Sequence, residues 1–170
     1  MDLSTVEGSM SCRIGGNLVG WDLKLTMQNG GITGRMGGGL VGRDIRLATE
    51  GDRIYGRVGG KLDGKNINYV LEENLLYGRV GGDRIGVSLR ITHEGESVFG
   101  RIGGDVIGND IAVSVANGEI TGRIGGQVIG ANTVGAYHGI PPLVAVGLAA
   151  AAQYIFEEQQ NRNNNNRGGR

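Results

Sequence analysis

Six arginines (Arg13, Arg35, Arg57, Arg79, Arg101 and Arg123) stand 22 residues apart. Each is followed by Ile, Met or Val and then by two glycines. A unit of that length is one supersecondary element, too small to bury its own apolar face and stable only against its neighbours. The repeat therefore decides the fold class before any other feature is read.

With each copy numbered from its arginine, positions 3, 4 and 8 are always glycine and position 2 is always Ile, Met or Val. Position 11 is Leu23, Ile45, Ile67, Leu89 and Ile111, and position 13 is Leu25, Leu47, Tyr69, Ile91 and Val113. Position 20 is Ile32, Ile54, Leu76, Val98 and Ile120. Between them lie mostly polar residues, so the period is two and each copy reads as two strands with one buried face. Gln28-Asn29-Gly30, Glu50-Gly51-Asp52, Glu94-Gly95-Glu96 and Asn117-Gly118-Glu119 at positions 16 to 19 are hairpin-type turns. A second reversal is expected near positions 4 to 7, which gives about twelve strands.

Two architectures share this pattern. In a parallel β-solenoid with 22 residues per coil and a helical cap, equivalent arginines would stack about 4.8 Å apart, and like charges directly adjacent are destabilising. In an antiparallel meander they lie two strands, or roughly 9.6 Å, apart. A reversal about positions 5 and 6 then sets position 1 opposite position 10. It pairs Arg13 with Asp22, Arg35 with Asp44 and Arg101 with Asp110, and sets Arg57 and Arg123 against Asn66 and Asn132. The other turn sets position 11 opposite position 2 of the next copy. The meander is the expected fold.

After Gly130 the pattern dissolves, through 131–139, into Ile140-Pro141-Pro142 and an apolar run containing Ala149 to Ala152. Proline at its start and Ala and Leu within it predict a helix over about 143–158. It is apolar on nearly every side, as a helix buried all round or in a membrane would be. Some 16 helical residues span roughly 24 Å, short for a bilayer. Twelve one-faced strands enclose more space than their own side chains fill, so the helix is expected to plug a closed barrel. Glycines at inward positions 4 and 22 would let it approach the strands. Residues 1–158 are expected to form one β domain with its C-terminal helix, and 159–170, rich in Asn, a disordered polar tail.

A twelve-stranded antiparallel barrel on a hydrophobic C-terminal helix resembles the tubby-like fold of LURP-one-related proteins and phospholipid scramblases. The rhythm is similar from Val98 to Gly104, through Ile107 to Val115, and into the Asn117-Gly118 turn. The resemblance concerns layout over residues 2 to 158 and carries over no lipid-headgroup residue.

Little in the chain suggests chemistry. Lys plus Arg and Asp plus Glu are 17 each, so no global field gathers polyanions, and no nucleic acid is expected as a partner. Cys12 takes a slot that is Gly34, Gly56, Gly78, Gly100 and Gly122 in the other copies, and reads as a small residue in a tight place. His93 and His138 are expected at the surface or rim. The glycine pairs precede neither a helix nor Lys-Ser/Thr, so they are not phosphate loops. Glu72, Glu73, Glu94, Glu96, Glu157 and Glu158 lie in turns or at the helix end, with nothing to gather them in an apolar cleft. No catalytic, cofactor-binding or metal-binding residue is expected, and no cofactor.

The expectation is a non-enzymatic structural or interaction module, which presents a repeated sheet surface to a protein partner or to itself. The alternative is a membrane- or lipid-associated module using the 140–156 helix. The N-terminus shows no basic-then-apolar leader, which points to the cytoplasm.

Overall fold

The computed structural model describes residues 1–15, 20–37, 42–60, 62, 64–81, 85–104, 108–125 and 130–168. The expected reversals at positions 4 to 7 fall largely outside the described residues. Twelve strands follow in order: β1 Gly8–Gly15, β2 Gly20–Gln28, β3 Gly31–Gly37, β4 Gly42–Glu50, β5 Arg53–Val58, β6 Lys65–Leu71, β7 Leu75–Gly81, β8 Gly86–Glu94, β9 Ser97–Gly103, β10 Gly108–Ser114, β11 Glu119–Gly125 and β12 Gly130–His138. One α-helix among the described residues, α1 Pro142–Arg167, follows the last strand. Each strand pairs antiparallel with the next, and β1 pairs with β12, so the sheet closes into a barrel. No solenoid forms.

The register is the one that the repeat dictates. Arg13 lies opposite Asp22, Arg35 opposite Asp44 and Arg101 opposite Asp110. Leu23 lies opposite Met36, Ile45 opposite Val58 and Leu89 opposite Ile102. The apolar positions face inward and are buried, among them Ile14, Ile32, Ile54, Leu76 and Ile91. At one end of the barrel the strands are joined by hairpins. Asn29 and Gly30 take φ of 51° and 72° there, the left-handed pair of a type I′ turn.

Two glycine slots shape the wall. Position 3 has positive φ in every copy, for example 101° at Gly15 and 117° at Gly125, a conformation that costs glycine little. At position 22 the reason differs from the expected one. A Cβ on Gly100 would lie 2.1 Å from the carbonyl oxygen of Arg90 and 2.7 Å from Cα of Ile91. The glycine thus serves close approach between neighbouring strands, not approach of the helix. Cys12 keeps a side chain in that slot because its partner across the closing seam is Gly135, whose own Cβ would meet Cα of Cys12 at 2.6 Å. The segment in which the pattern dissolves is therefore the strand that closes the barrel, with Thr133 and Gly135 in place of branched aliphatics.

Helix α1 starts at the hairpin end, with Pro141 as its N-cap and Pro142 in its first turn, where a missing N–H costs nothing. Leu143 to Ala152 and Ile155 are buried inside the barrel. The stretch from 143 to 155 is about 20 Å long. A nine-residue strand of roughly 30 Å, tilted about 40°, rises about 23 Å, so the apolar run and the lumen match in length. At the far mouth Trp21 stacks on Phe156, with ring centroids 5.6 Å apart. There Lys65 Nζ donates to Glu158 Oε1 at 2.9 Å and Asn109 Nδ2 to Glu157 Oε2 at 2.9 Å.

The helix does not stop at Glu158. It runs on to Arg167, where a disordered tail from 159 was expected. Extending a formed helix by one residue costs far less than nucleating it, and Arg162 reaches back one turn to Glu158 at 2.7 Å. Among the described residues no helix is long and apolar enough to cross a membrane.

Candidate interaction face

The outward positions of the strands carry the polar half of the repeat. Arg13, Arg35 and Arg101 form ion pairs with Asp22, Asp44 and Asp110 through Nη1, while Arg57 donates to Asn66 Oδ1 at 2.9 Å and Arg123 to Asn132 Oδ1 at 3.5 Å. These contacts are solvent-exposed and contribute little to stability, about 0–1 kcal/mol each.

Between the arginines lies an arrangement that the two-residue rhythm alone did not bring out. The reversal that sets position 11 against position 2 of the next copy also sets position 12 against the next arginine. Lys24 thus faces Arg35, Arg46 faces Arg57 and Arg90 faces Arg101. Like charges directly across a strand pair are unfavourable, and here they occur three times. Arg46 and Arg90 are exposed.

Aromatic residues stand among these charges on one side only. Position 21 is Thr33, Tyr55, Tyr77, Phe99 and Thr121 in successive copies. Tyr55 and Phe99 are 42% and 41% exposed, and Tyr77 lies directly opposite Arg90. Tyr55 has Arg53 and Arg57 two residues away on either side, and so on its own face of β5. Two grooves cross this flank. One of about 690 Å³ is bordered by Arg53, Tyr55, Arg57, Asn66, Asn68 and Arg79. The other, of about 560 Å³, includes Arg35, Arg43, Arg46 and Arg57. The outer face of β4–β9 therefore combines cations with exposed aromatic rings, while the strands on either side carry Arg13, Lys24, Arg35 and Arg123 among small polar residues, with Thr33 and Thr121 at the aromatic position.

Charge is also segregated along the barrel axis. Glu7, Glu50, Asp52, Glu72, Glu73, Glu94, Glu96 and Glu119 gather at the hairpin end, where Arg53 is the basic side chain of the adjoining strands. The fold brings Asp52, Glu72, Glu73 and His93 around a cavity of about 490 Å³ with Met1, Leu71, Pro141, Pro142 and Leu143. Nothing in the sequence gathers Glu72 and Glu73 in an apolar cleft. The helix entering the barrel does so, because Pro141 to Leu143 supply the apolar lining.

The other candidate groups lie apart. His138 ends β12 and is exposed. Cys12 is a buried free thiol, and burial first, then the nearby Asp22 charge, push its pKa up to about 12. Among the described residues no three His, Cys, Asp or Glu are grouped as metal ligands would be. No family model matches the chain, and neither a curated protein nor a solved structure is significantly similar to it.

Proposed function

We propose that this protein is a non-enzymatic interaction module, and that the outer face of β4–β9 is the surface it offers to an acidic segment of a protein partner. The carrying observation is the opposition of Arg46 to Arg57 and of Arg90 to Arg101 beside exposed Tyr55 and Phe99. An anionic partner placed over these pairs relieves their repulsion, and the aromatic rings add apolar contact of the kind enriched at interface centres. The unreactive, buried state of Cys12 and the separation of His138 from the other candidate groups support the non-enzymatic part. The apolar helix segment is occupied in filling the lumen, so a lipid-facing role for residues 140–156 would require the barrel to open.

Fluorescence anisotropy with a labelled oligoglutamate peptide tests the reading. Binding at low salt that is lost in Arg46→Ala/Arg90→Ala and weakened in Tyr55→Thr/Phe99→Thr is the expected result. Equal binding by all three proteins, or binding of oligothymidylate in place of the peptide, would overturn it.

A further inference from the structure

We infer that the acidic partner is a second copy of this chain, and that Tyr55 of one barrel enters the hairpin-end cavity of another. The inference rests on the proposed function and names the partner of that same face. Its basis is a double complementarity between an exposed ring flanked by arginines on the wall and an apolar cavity bordered by carboxylates at the end of the barrel.

On the flank, Tyr55 projects as an exposed ring with Arg53 and Arg57 on either side of it along β5. At the end of the barrel the cavity has an apolar lining of Leu71, Pro142 and Leu143, and Asp52, Glu72 and Glu73 stand with them at its border. Its volume of about 490 Å³ is ample for a phenol ring. Ring meets apolar floor while arginines meet carboxylates. Tyr55 lies on the outer wall and the cavity opens at the mouth of the lumen, so the contact forms between molecules.

Two different surfaces are joined in such a contact, so it is heterologous. Each copy retains one unused flank and one unused end, and association continues into open chains unless the rotation closes a ring. The zero net charge of the chain permits this, since no global repulsion keeps copies apart. Because the pairs form at an exposed rim, the association should weaken as salt screens them.

Charge-swapped variants of the full chain, followed by sedimentation velocity, test the inference. Wild-type protein should associate with rising concentration at low ionic strength and dissociate in high salt. Glu72→Lys/Glu73→Lys places cations at both surfaces, and Arg46→Glu/Arg53→Glu sets carboxylates beside Tyr55 as well as at the cavity, so each alone should remain monomeric. Their equimolar mixture should associate again, because each supplies the surface that the other lacks. Tyr55→Thr should weaken association by about tenfold or more, the effect expected of a buried interface anchor. If the lysine variant does not fold, Glu72→Gln/Glu73→Gln should still show weakened association.

A wild-type chain that stays monomeric at low salt overturns the inference, as does a mixture that does not associate. Monomeric protein that still binds oligoglutamate through Arg46 and Arg90 leaves the acidic-partner reading standing and removes only the second copy. Absence of both binding and association removes both.

Discussion

The hydroxyl of Tyr69 donates a hydrogen bond to the carbonyl oxygen of Gly147 at 3.0 Å, in the fully buried middle of the barrel. Tyr69 occupies the repeat position held elsewhere by Leu25, Leu47, Ile91 and Val113, and it is the copy facing the one glycine among the buried residues of the helix. A Cβ on Gly147 would come within 2.3 Å of Leu76 Cδ2 and 3.5 Å of the Tyr69 ring. A helix that is apolar on all sides has no preferred rotation, and this pair gives it one.

Tyr69→Phe should therefore cost about 1 kcal/mol, the net worth of one buried hydrogen bond, while leaving the fold intact. Gly147→Ala should cost more, about 1–3 kcal/mol, because an added methyl forces side chains off their rotamers in a packed core. Urea unfolding of the two variants against wild type checks both the size and the order.

The glycines at position 22 should be far less tolerant than those in the hairpins. Gly100→Ala places a methyl against the backbone of β8, which cannot move without breaking its pairing, and the loss should be on the order of 3 kcal/mol or more. Gly95→Ala meets nothing within 4 Å and suffers only from its φ of 60°, so about 1 kcal/mol is expected. Thermal unfolding of the pair separates steric conflict from backbone conformation.

Truncation after Gly139 should abolish the folded barrel. It removes the buried side chains from Leu143 to Ile155 and leaves the inward faces of twelve strands lining an empty lumen, a cavity larger than the remaining side chains can fill by relaxing. The expected result is loss of the dispersed amide spectrum in NMR. A truncated chain that keeps its strand register would show the helix to be dispensable.

Alkaline pH should reveal Cys12. Its thiol pKa is raised from 9.0 to about 12 in the folded protein, so the unfolded chain loses this proton first. Stability is unaffected below about pH 9, then falls by up to about 1.4 kcal/mol per pH unit until pH 12. Tyr69, whose pKa burial also raises, adds a similar loss above pH 10. Comparing urea midpoints of wild type and Cys12→Ala isolates the cysteine: the difference between the two should shift by about 1 kcal/mol from pH 8 to pH 10.

How much of this was legible beforehand differs from residue to residue. The pairing of Arg101 with Asp110, and of Leu23 with Met36, follows from a strict period and two reversals, because antiparallel register is set once the turn centres are known. The opposition of Arg46 to Arg57 follows from the same reversal, and is found by tracking position 12 as closely as the apolar positions beside it. Position 21, with its change from Thr33 to Tyr55, Tyr77 and Phe99, carried a readable signal as well.

The closing strand was harder to see. Ala131 to His138 departs from the repeat, and at one slot the reason shows only at the seam, where Gly135 leaves the space that Cys12 occupies. The reach of α1 to Arg167 likewise came from the structure, since asparagines that favour disorder in isolation can extend a helix already nucleated inside a barrel.

By itself the sequence determined the strands, their register, the inward and outward faces and the presence of an apolar helix. All of these are consequences of local period and of patterns that repeat every 22 residues. The closed barrel and its helical plug were expected from the one-faced strands and the all-apolar run, and the structure has both. Only the tertiary structure decided that β12 is the strand that closes the seam on β1, and that Asp52, Glu72, Glu73 and His93 surround one apolar cavity. Those relations join residues far apart in the chain, and they arise from the geometry of closure, in which β1 meets β12 and the helix must enter through one end.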